Sequence, residues 1–93
     1  MSTTNVNEML AGRQGTYGPF ENHAKISQAL KAVMHERSGW DRLKHDQREA
    51  LEMVQHKIAR ILNGDPDYAD NWIDIAGYAT LVANRLEKGE NAA

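Results

Sequence analysis

The sequence contains no cysteine and no long apolar run, and each absence excludes a class of protein. Without cysteine there can be no disulfide framework and no thiolate metal site. Residues 1–12 lack the basic start and the continuous apolar stretch of a signal peptide or a membrane span. We therefore expect a cytoplasmic protein that does not interact with a membrane.

Clusters of basic residues are also missing. The eleven Lys and Arg residues are scattered among thirteen Asp and Glu residues, and the formal net charge is −2. Tight nonspecific binding to nucleic acid depends on many phosphate contacts from basic residues, so we do not expect it here. A small phosphorylated ligand is not excluded, because it needs only a few cations.

No segment alternates apolar and polar residues as a strand would, and no internal repeat is present. Apolar residues recur every three or four positions instead, which predicts an all-α helical bundle. We treat 1–93 as a single domain with an N-terminal arm at 1–14 and a flexible tail at 88–93. A chain of this length buries only a modest core, so we expect a dimer or a larger homo-oligomer.

The N-terminal half contains two predicted helices separated by a loop. A short helix should end near Gly12, and two glycines and a proline predict a loop over 15–20. Tyr17 and Phe20 in this loop either anchor it to the core or line a pocket. The second helix is predicted over 21–37.

The C-terminal half is predicted to be a long helical hairpin. Its first helix starts at Asp46, with Glu49 three residues later as in a capping box, and stops at Gly64 in a left-handed C-cap. The second helix follows a turn at 65–67 and ends near Glu87. Each helix carries an apolar stripe that we expect in the core: Leu51, Val54, Ile58, Ile61 and Leu62 on the first, and Trp72, Ile75, Ala76, Ala79, Val82, Ala83 and Leu86 on the second.

The last helix carries a second notable face, opposite Trp72. It contains Asp70, Asp74, Gly77, Tyr78 and Leu81. A mid-helix glycine costs about 1 kcal/mol relative to alanine, so we expect this face to be covered as well. A partly buried carboxylate needs a cation, a metal or several hydrogen-bond donors.

Two interpretations of these acids stay open. In the first, Asp74 pairs with Lys57 or Arg60 across the hairpin and only fixes its register. In the second, four carboxylates bind Mg²⁺, an ion that prefers oxygen ligands; the four are Glu49, Glu52, Asp70 and Asp74. The four histidines have no zinc-binding spacing, and no Walker loop or Ser/His/Asp set is present.

Three segments carry a resemblance to known proteins. KIARI at 57–61 and DNWIDIAGYA at 70–79, together with the YGPF loop at 17–20, resemble a family of small phage and prophage proteins without an established function. The resemblance spans about 16–86. It implies a phage-encoded protein that acts in the cytoplasm of a bacterial host.

More distantly, the hairpin is similar to the MazG-like all-α nucleoside triphosphate pyrophosphohydrolases. Those enzymes hold Mg²⁺ on the nucleotide phosphates with a Glu-rich motif and an E-x-x-D motif on consecutive helices. Asp74 matches the final Asp, whereas Asn71 stands where the glutamate belongs. For the first motif, one alignment uses Glu49 and Glu52. Another places Lys57 and Arg60 where the acids belong.

The resemblance implies three alternative functions. The first is Mg²⁺-dependent release of pyrophosphate by attack of water. The second is binding of a nucleotide without cleavage, for example to sequester a host defence signal. The third is a phage accessory role in binding another protein. The residues that we expect to contact a small ligand are Tyr17, Lys25, Lys57, Arg60, Asn71 and Tyr78.

Overall fold

The computed structural model describes residues 3–89, and all of its regular structure is helical. The elements are α1 (Thr3–Tyr17), α2 (Phe20–Glu36), a 3₁₀ helix (Ser38–Arg42), α3 (His45–Asn63) and α4 (Ala69–Glu87). Over residues 3–89 there is no strand, so the all-α prediction is confirmed. No helix in this range is long and apolar enough to span a bilayer. Residues 90–93, which make up most of the predicted tail at 88–93, lie outside the described range.

The first helix is longer than its sequence predicts. It does not end near Gly12, and the predicted loop over 15–20 is wrong, because α1 runs on to Tyr17. Only Gly18 and Pro19 separate it from α2. The N–H of Gly18 still donates to a carbonyl four residues earlier, at 2.8 Å. Glycine lowers helix propensity by about 1 kcal/mol without excluding a helix, so Gly12 and Gly15 can both lie within α1.

The start of α3 also differs from the prediction. The expected capping box of Asp46 and Glu49 does not form. Gln47 Oε1 instead accepts a hydrogen bond from the Lys44 N–H at 2.8 Å. Both carboxylate oxygens of Asp46 accept bonds from Arg85, at 2.7 and 2.8 Å, and this pairing lowers the pKa of Asp46. Asp46 thus joins the start of α3 to the end of α4, so the two helices run antiparallel.

The end of α3 is shaped by a close backbone approach. Gly64 has φ −132° and ψ −138°, so the predicted left-handed cap is wrong. A Cβ at Gly64 would collide with the backbone of Thr16 and Tyr17 at the end of α1. The N–H of Asp65 donates to the Thr16 carbonyl at 2.7 Å. Gly64 therefore lets the two helix ends come into contact.

Asn63 secures the same junction from the other side. Its Nδ2 donates to the carbonyls of Tyr17 and Pro19, both at 2.9 Å. Gly18 between them has φ 79°, a left-handed conformation that favours glycine, and a Cβ there would collide with the Asn63 carbonyl. The α1–α2 junction is thus held against the end of α3.

The interior of the described bundle is polar. The buried polar side chains are those of His23, Ser27, Gln55, Lys57 and Asn71, and among the residues described only Ala50 and Ala59 are buried and apolar. Ser27 Oγ donates to Gln55 Oε1 at 3.1 Å between α2 and α3. The predicted apolar core is therefore wrong for a single copy of the chain.

The predicted core stripes lie mostly at the surface. Leu51, Ile58 and Leu62 of α3, with Trp72 and Leu86 of α4, are between 38% and 67% exposed. The reason is that α3 meets α2 through Gln55 and α4 through Lys57, and these two positions lie roughly 160° apart around the helix. Packing on both flanks leaves the face between them, which carries the stripe, without a covering element.

Candidate ligand-binding site

A cavity of about 340 Å³ lies between α1, the start of α2 and α3. It combines two arginines, two histidines and two aromatic rings with a few small or apolar groups. Its lining is Leu10, Arg13, Gln14 and Tyr17 of α1, Gly18 of the junction, Phe20 and His23 of α2, and His56 and Arg60 of α3. The volume is at the lower end of the range of small-molecule sites.

Arg60 is held against one wall by an aromatic ring. Its guanidinium carbon lies 4.1 Å from the centre of the Tyr17 ring, a cation–π contact. Tyr17 in turn meets the Tyr68 ring edge-on, with centroids 5.8 Å apart. Among the described residues neither Arg60 nor Arg13 has a carboxylate within ion-pair distance. Both guanidinium groups therefore remain available to an anion.

Two histidines form the deeper part of the cavity. The rings of His23 and His56 meet edge to face with centroids 4.7 Å apart, and His23 is only 6% exposed. Burial lowers the pKa of His23, and burial together with the charge of Arg60 lowers the pKa of His56 to about 4. Both imidazoles are consequently neutral at pH 7, and each offers one donor and one acceptor.

One atom of this wall is unsatisfied. His23 Nδ1 is buried and has no hydrogen-bond partner among the residues described. A buried polar atom without a partner costs roughly 1–3 kcal/mol, so a ligand or water that supplied one would be favoured. Within the described part of the chain, the lining of the cavity contains no acidic residue. The site is thus cationic and aromatic, with an unpaired ring nitrogen.

The structure brings together only two of the six residues that the sequence assigned to a small ligand, namely Tyr17 and Arg60. Lys57 faces α4, where its Nζ lies 2.9 Å from Asp74 Oδ2. The ion pair that the first interpretation expects across the hairpin is therefore present, formed by Lys57 rather than Arg60.

The other three expected contacts lie outside the cavity. Lys25 is an exposed residue of α2. Asn71 is 1% exposed on the inner side of α4, and its Nδ2 has no partner in the described part of the chain. Tyr78 lines a separate groove of about 430 Å³ on α4. In one copy of the chain these three side chains do not share a site with Tyr17 and Arg60.

The four acids expected to bind Mg²⁺ are spread along the hairpin. Glu52 Oε2 lies 3.6 Å from His35 Nε2, and Glu49 is exposed. Asp70 is exposed too, and its hydrogen bond to Tyr68 raises the pKa of that tyrosine. Within residues 5–89 no three acidic or imidazole groups lie close enough to hold a metal ion. One copy therefore lacks a fitting ligand set, and Mg²⁺ binding stays a prediction.

The second face of α4 is open in a single copy, contrary to the prediction. A Cβ at Gly77 would meet nothing within 4 Å, and Leu81 is 67% exposed. Asp70 is exposed on this face and Asp74 only half-buried. The mid-helix glycine therefore does not mark a close approach within the described chain.

Sequence reasoning missed Arg13, Gln14, His23 and His56. The first two precede Tyr17 by four and three residues, so a helix that continues to Tyr17 puts all three on one face. The predicted loop interrupted that helix and hid the pattern. His23 falls among the apolar positions of α2, but His56 lies on the polar side of α3, so helix periodicity alone could not have paired the two rings.

Comparison with known proteins gives one match. Neither the curated proteins nor the solved structures include one that matches this chain. A family described as Domain of unknown function (DUF6378) matches residues 3–86, which is nearly the whole chain and includes both the cavity and the hairpin. The chain belongs to this DUF6378 family.

Proposed function

We propose that the cavity under α1 binds a nucleotide or a closely similar small molecule that carries both a phosphate and an aromatic ring. The observation that carries this proposal is the Arg60 guanidinium stacked on Tyr17, with Arg13 in the same lining. Among residues 5–89 no carboxylate pairs with either arginine. Arginine in this setting is a common partner of phosphate.

The phosphate would lie between Arg13 and Arg60. A guanidinium donates two parallel hydrogen bonds to phosphate oxygens, and such charge-assisted bonds are about twice as strong as neutral ones. The Tyr17 ring already orders the Arg60 side chain, so little side-chain entropy is lost when the anion binds. Arg13 is exposed and supplies the second charge from α1.

The base would lie against the aromatic wall. Phe20 is 79% exposed at the rim, which is unusual for a large apolar ring. Its ring centre lies 6.0 Å from that of His23, so a planar ligand can extend the stack. His23 Nδ1, which has no partner in the described chain, would form a hydrogen bond with a polar edge of that ligand.

The Lys57–Asp74 pair favours binding without hydrolysis over metal-assisted cleavage. Asp74 is the residue that the MazG-like resemblance assigns to Mg²⁺, and here a lysine lies 2.9 Å from it. A cation in that position occupies the place where the resemblance puts the metal. We therefore propose a binding protein, which in a phage would sequester a signalling nucleotide of its host.

The test is a thermal-shift screen with mononucleotides, cyclic dinucleotides, cyclic trinucleotides and inorganic phosphate, each with and without Mg²⁺. A ligand that binds only the folded state raises the melting temperature. Arg60→Gln should abolish the shift, whereas Lys25→Gln, which removes the same charge outside the cavity, should preserve it.

Two results would contradict the proposal. One is the absence of a shift with every compound, and the other is an equal loss of the shift in both variants. A shift that requires Mg²⁺ and is followed by release of pyrophosphate would replace sequestration with the hydrolytic function. Phosphate alone should give a small shift, because it occupies only the arginine end of the cavity.

A further inference from the structure

Five large apolar side chains are exposed on one side of the α3–α4 hairpin. They are Leu51, Ile58 and Leu62 of α3, with Trp72 and Leu86 of α4, and we call this surface the α3–α4 apolar face. At 100° per residue, the three α3 positions fall within about 40° of one another, and so do the two of α4. Each helix therefore presents a narrow apolar stripe.

The two stripes turn to the same side of the hairpin. Lys57 and Asp74 are in contact and so mark the flanks by which α3 and α4 pack together. Because the helices are antiparallel, their helical wheels run in opposite senses. When those two residues are set facing each other, the stripe of α3 and the stripe of α4 point to the same side of the helix pair. They therefore form one continuous surface.

The α3–α4 apolar face carries no charge. Val54 and Ile61 of α3 and the exposed alanines Ala76, Ala79 and Ala83 of α4 complete it. The small alanines on α4 leave a shallow groove that a helix of a second molecule can approach closely. The leucines on α3 are large enough to fill such a groove. A surface with both features is complementary to itself.

The shape of a single copy indicates missing contacts. Its radius of gyration is 15.8 Å, whereas a compact domain of this length has about 12–13 Å. Its accessible surface is 6656 Å², compared with about 5,400 Å² for a compact monomer of 10.5 kDa. The excess, roughly 1,200 Å², exceeds the area of about 800 Å² that each partner buries in a standard interface.

We propose that a second copy of this chain covers the α3–α4 apolar face, so that each face packs on its own symmetry mate around a two-fold axis. Such an isologous contact needs one self-complementary patch, which this face supplies. The polar interior of each copy makes the contact necessary, because the principal apolar side chains of α3 and α4 are buried only in the pair.

The pairing leaves the ligand cavity open. His56 lies roughly 160° around α3 from Ile58, on the opposite side of the hairpin layer. The two cavities of a dimer would therefore lie on its outer surfaces. Self-association and ligand binding are then independent, and either proposal can fail without the other.

The test compares two leucines of equal exposure on opposite sides of the layer. Leu62 and Leu81 are each 67% exposed, but only Leu62 belongs to the α3–α4 apolar face. Sedimentation equilibrium at micromolar concentration should give the wild type the mass of two chains or an even multiple. Leu62→Glu should fall to 10.5 kDa with helical circular dichroism retained, and Leu81→Glu should match the wild type.

A second measurement needs no variant. The melting temperature of a protein stabilised by self-association rises with protein concentration, so a hundredfold dilution should lower that of the wild type. A wild type of 10.5 kDa, a melting temperature independent of concentration, or equal behaviour of the two Glu variants would each overturn the proposal. A monomer that gains mass only with another protein would point to a different partner.

Discussion

Asn63 at the end of α3 holds Tyr17 at the end of α1, through a hydrogen bond of 2.9 Å from its Nδ2 to the Tyr17 carbonyl. This contact joins residues 46 positions apart in the chain. It positions the Tyr17 ring under the Arg60 guanidinium, and so it builds one wall of the cavity.

Removal of the Asn63 side chain should destabilise the protein. Asn63→Ala leaves the carbonyls of Tyr17 and Pro19 without their shared donor, at a cost of roughly 1–3 kcal/mol in the free energy of unfolding. Urea denaturation measures this change. Asn84→Ala on the exposed side of α4 is the control and should change stability by less than about 0.5 kcal/mol.

Two glycine substitutions should have opposite effects. Gly64→Ala brings a Cβ into the backbone of Thr16 and Tyr17, so it should destabilise the protein by roughly 2 kcal/mol or more. Gly77→Ala adds a methyl group in open space within α4 and should stabilise it by about 0.5–1 kcal/mol. Thermal unfolding of both variants checks this, and a loss of stability in Gly77→Ala would mean that its face is covered.

Acid should destabilise the protein through the histidine pair. The pKa of His56 is about 4 in the folded protein, compared with 6.5 for the unperturbed group. Because the folded pKa is depressed, the unfolded chain binds the proton first. The contribution to stability is therefore complete above about pH 6.5 and is lost as the pH falls towards 4.

The pH dependence can be assigned to this residue. His56→Gln should lessen the fall in melting temperature between pH 6.5 and 4, since glutamine does not titrate and only His23 of the pair would remain. His45→Gln changes an exposed histidine and should preserve the wild-type profile. Identical profiles for wild type and His56→Gln would contradict the assignment.

Neutralising Asp74 should cost more than neutralising Asp70. Asp74→Asn leaves the buried Lys57 ammonium without its carboxylate, which we expect to lower stability by roughly 1–2 kcal/mol because Asp74 is itself half-exposed. Asp70→Asn changes an exposed acid and should cost less than about 0.5 kcal/mol. Chemical denaturation of the two variants gives the comparison. Equal losses would show that the Lys57–Asp74 pair does not contribute to the free energy of unfolding.

The sequence by itself determined the bounds of α2 and the end of α4, although not the end of α1. Spacings of three and four predicted α2 within one residue at each end, and the end of α4 at Glu87. The same periodicity predicted which apolar residues share a helix face, whereas the expected burial of those faces is wrong for a single copy. Local patterns suffice for these features because helix formation depends on neighbours within one or two turns.

Tertiary structure alone decided what each face contacts. The stripe through Ile58 is exposed because α3 is flanked by α2 and α4, whereas Lys57 is buried because it meets Asp74. Gly64 serves a contact with Thr16 rather than a cap, and Gly12 lies within a helix. Periodicity specifies which residues share a face but contains no information about the neighbour, since that depends on how distant elements pack.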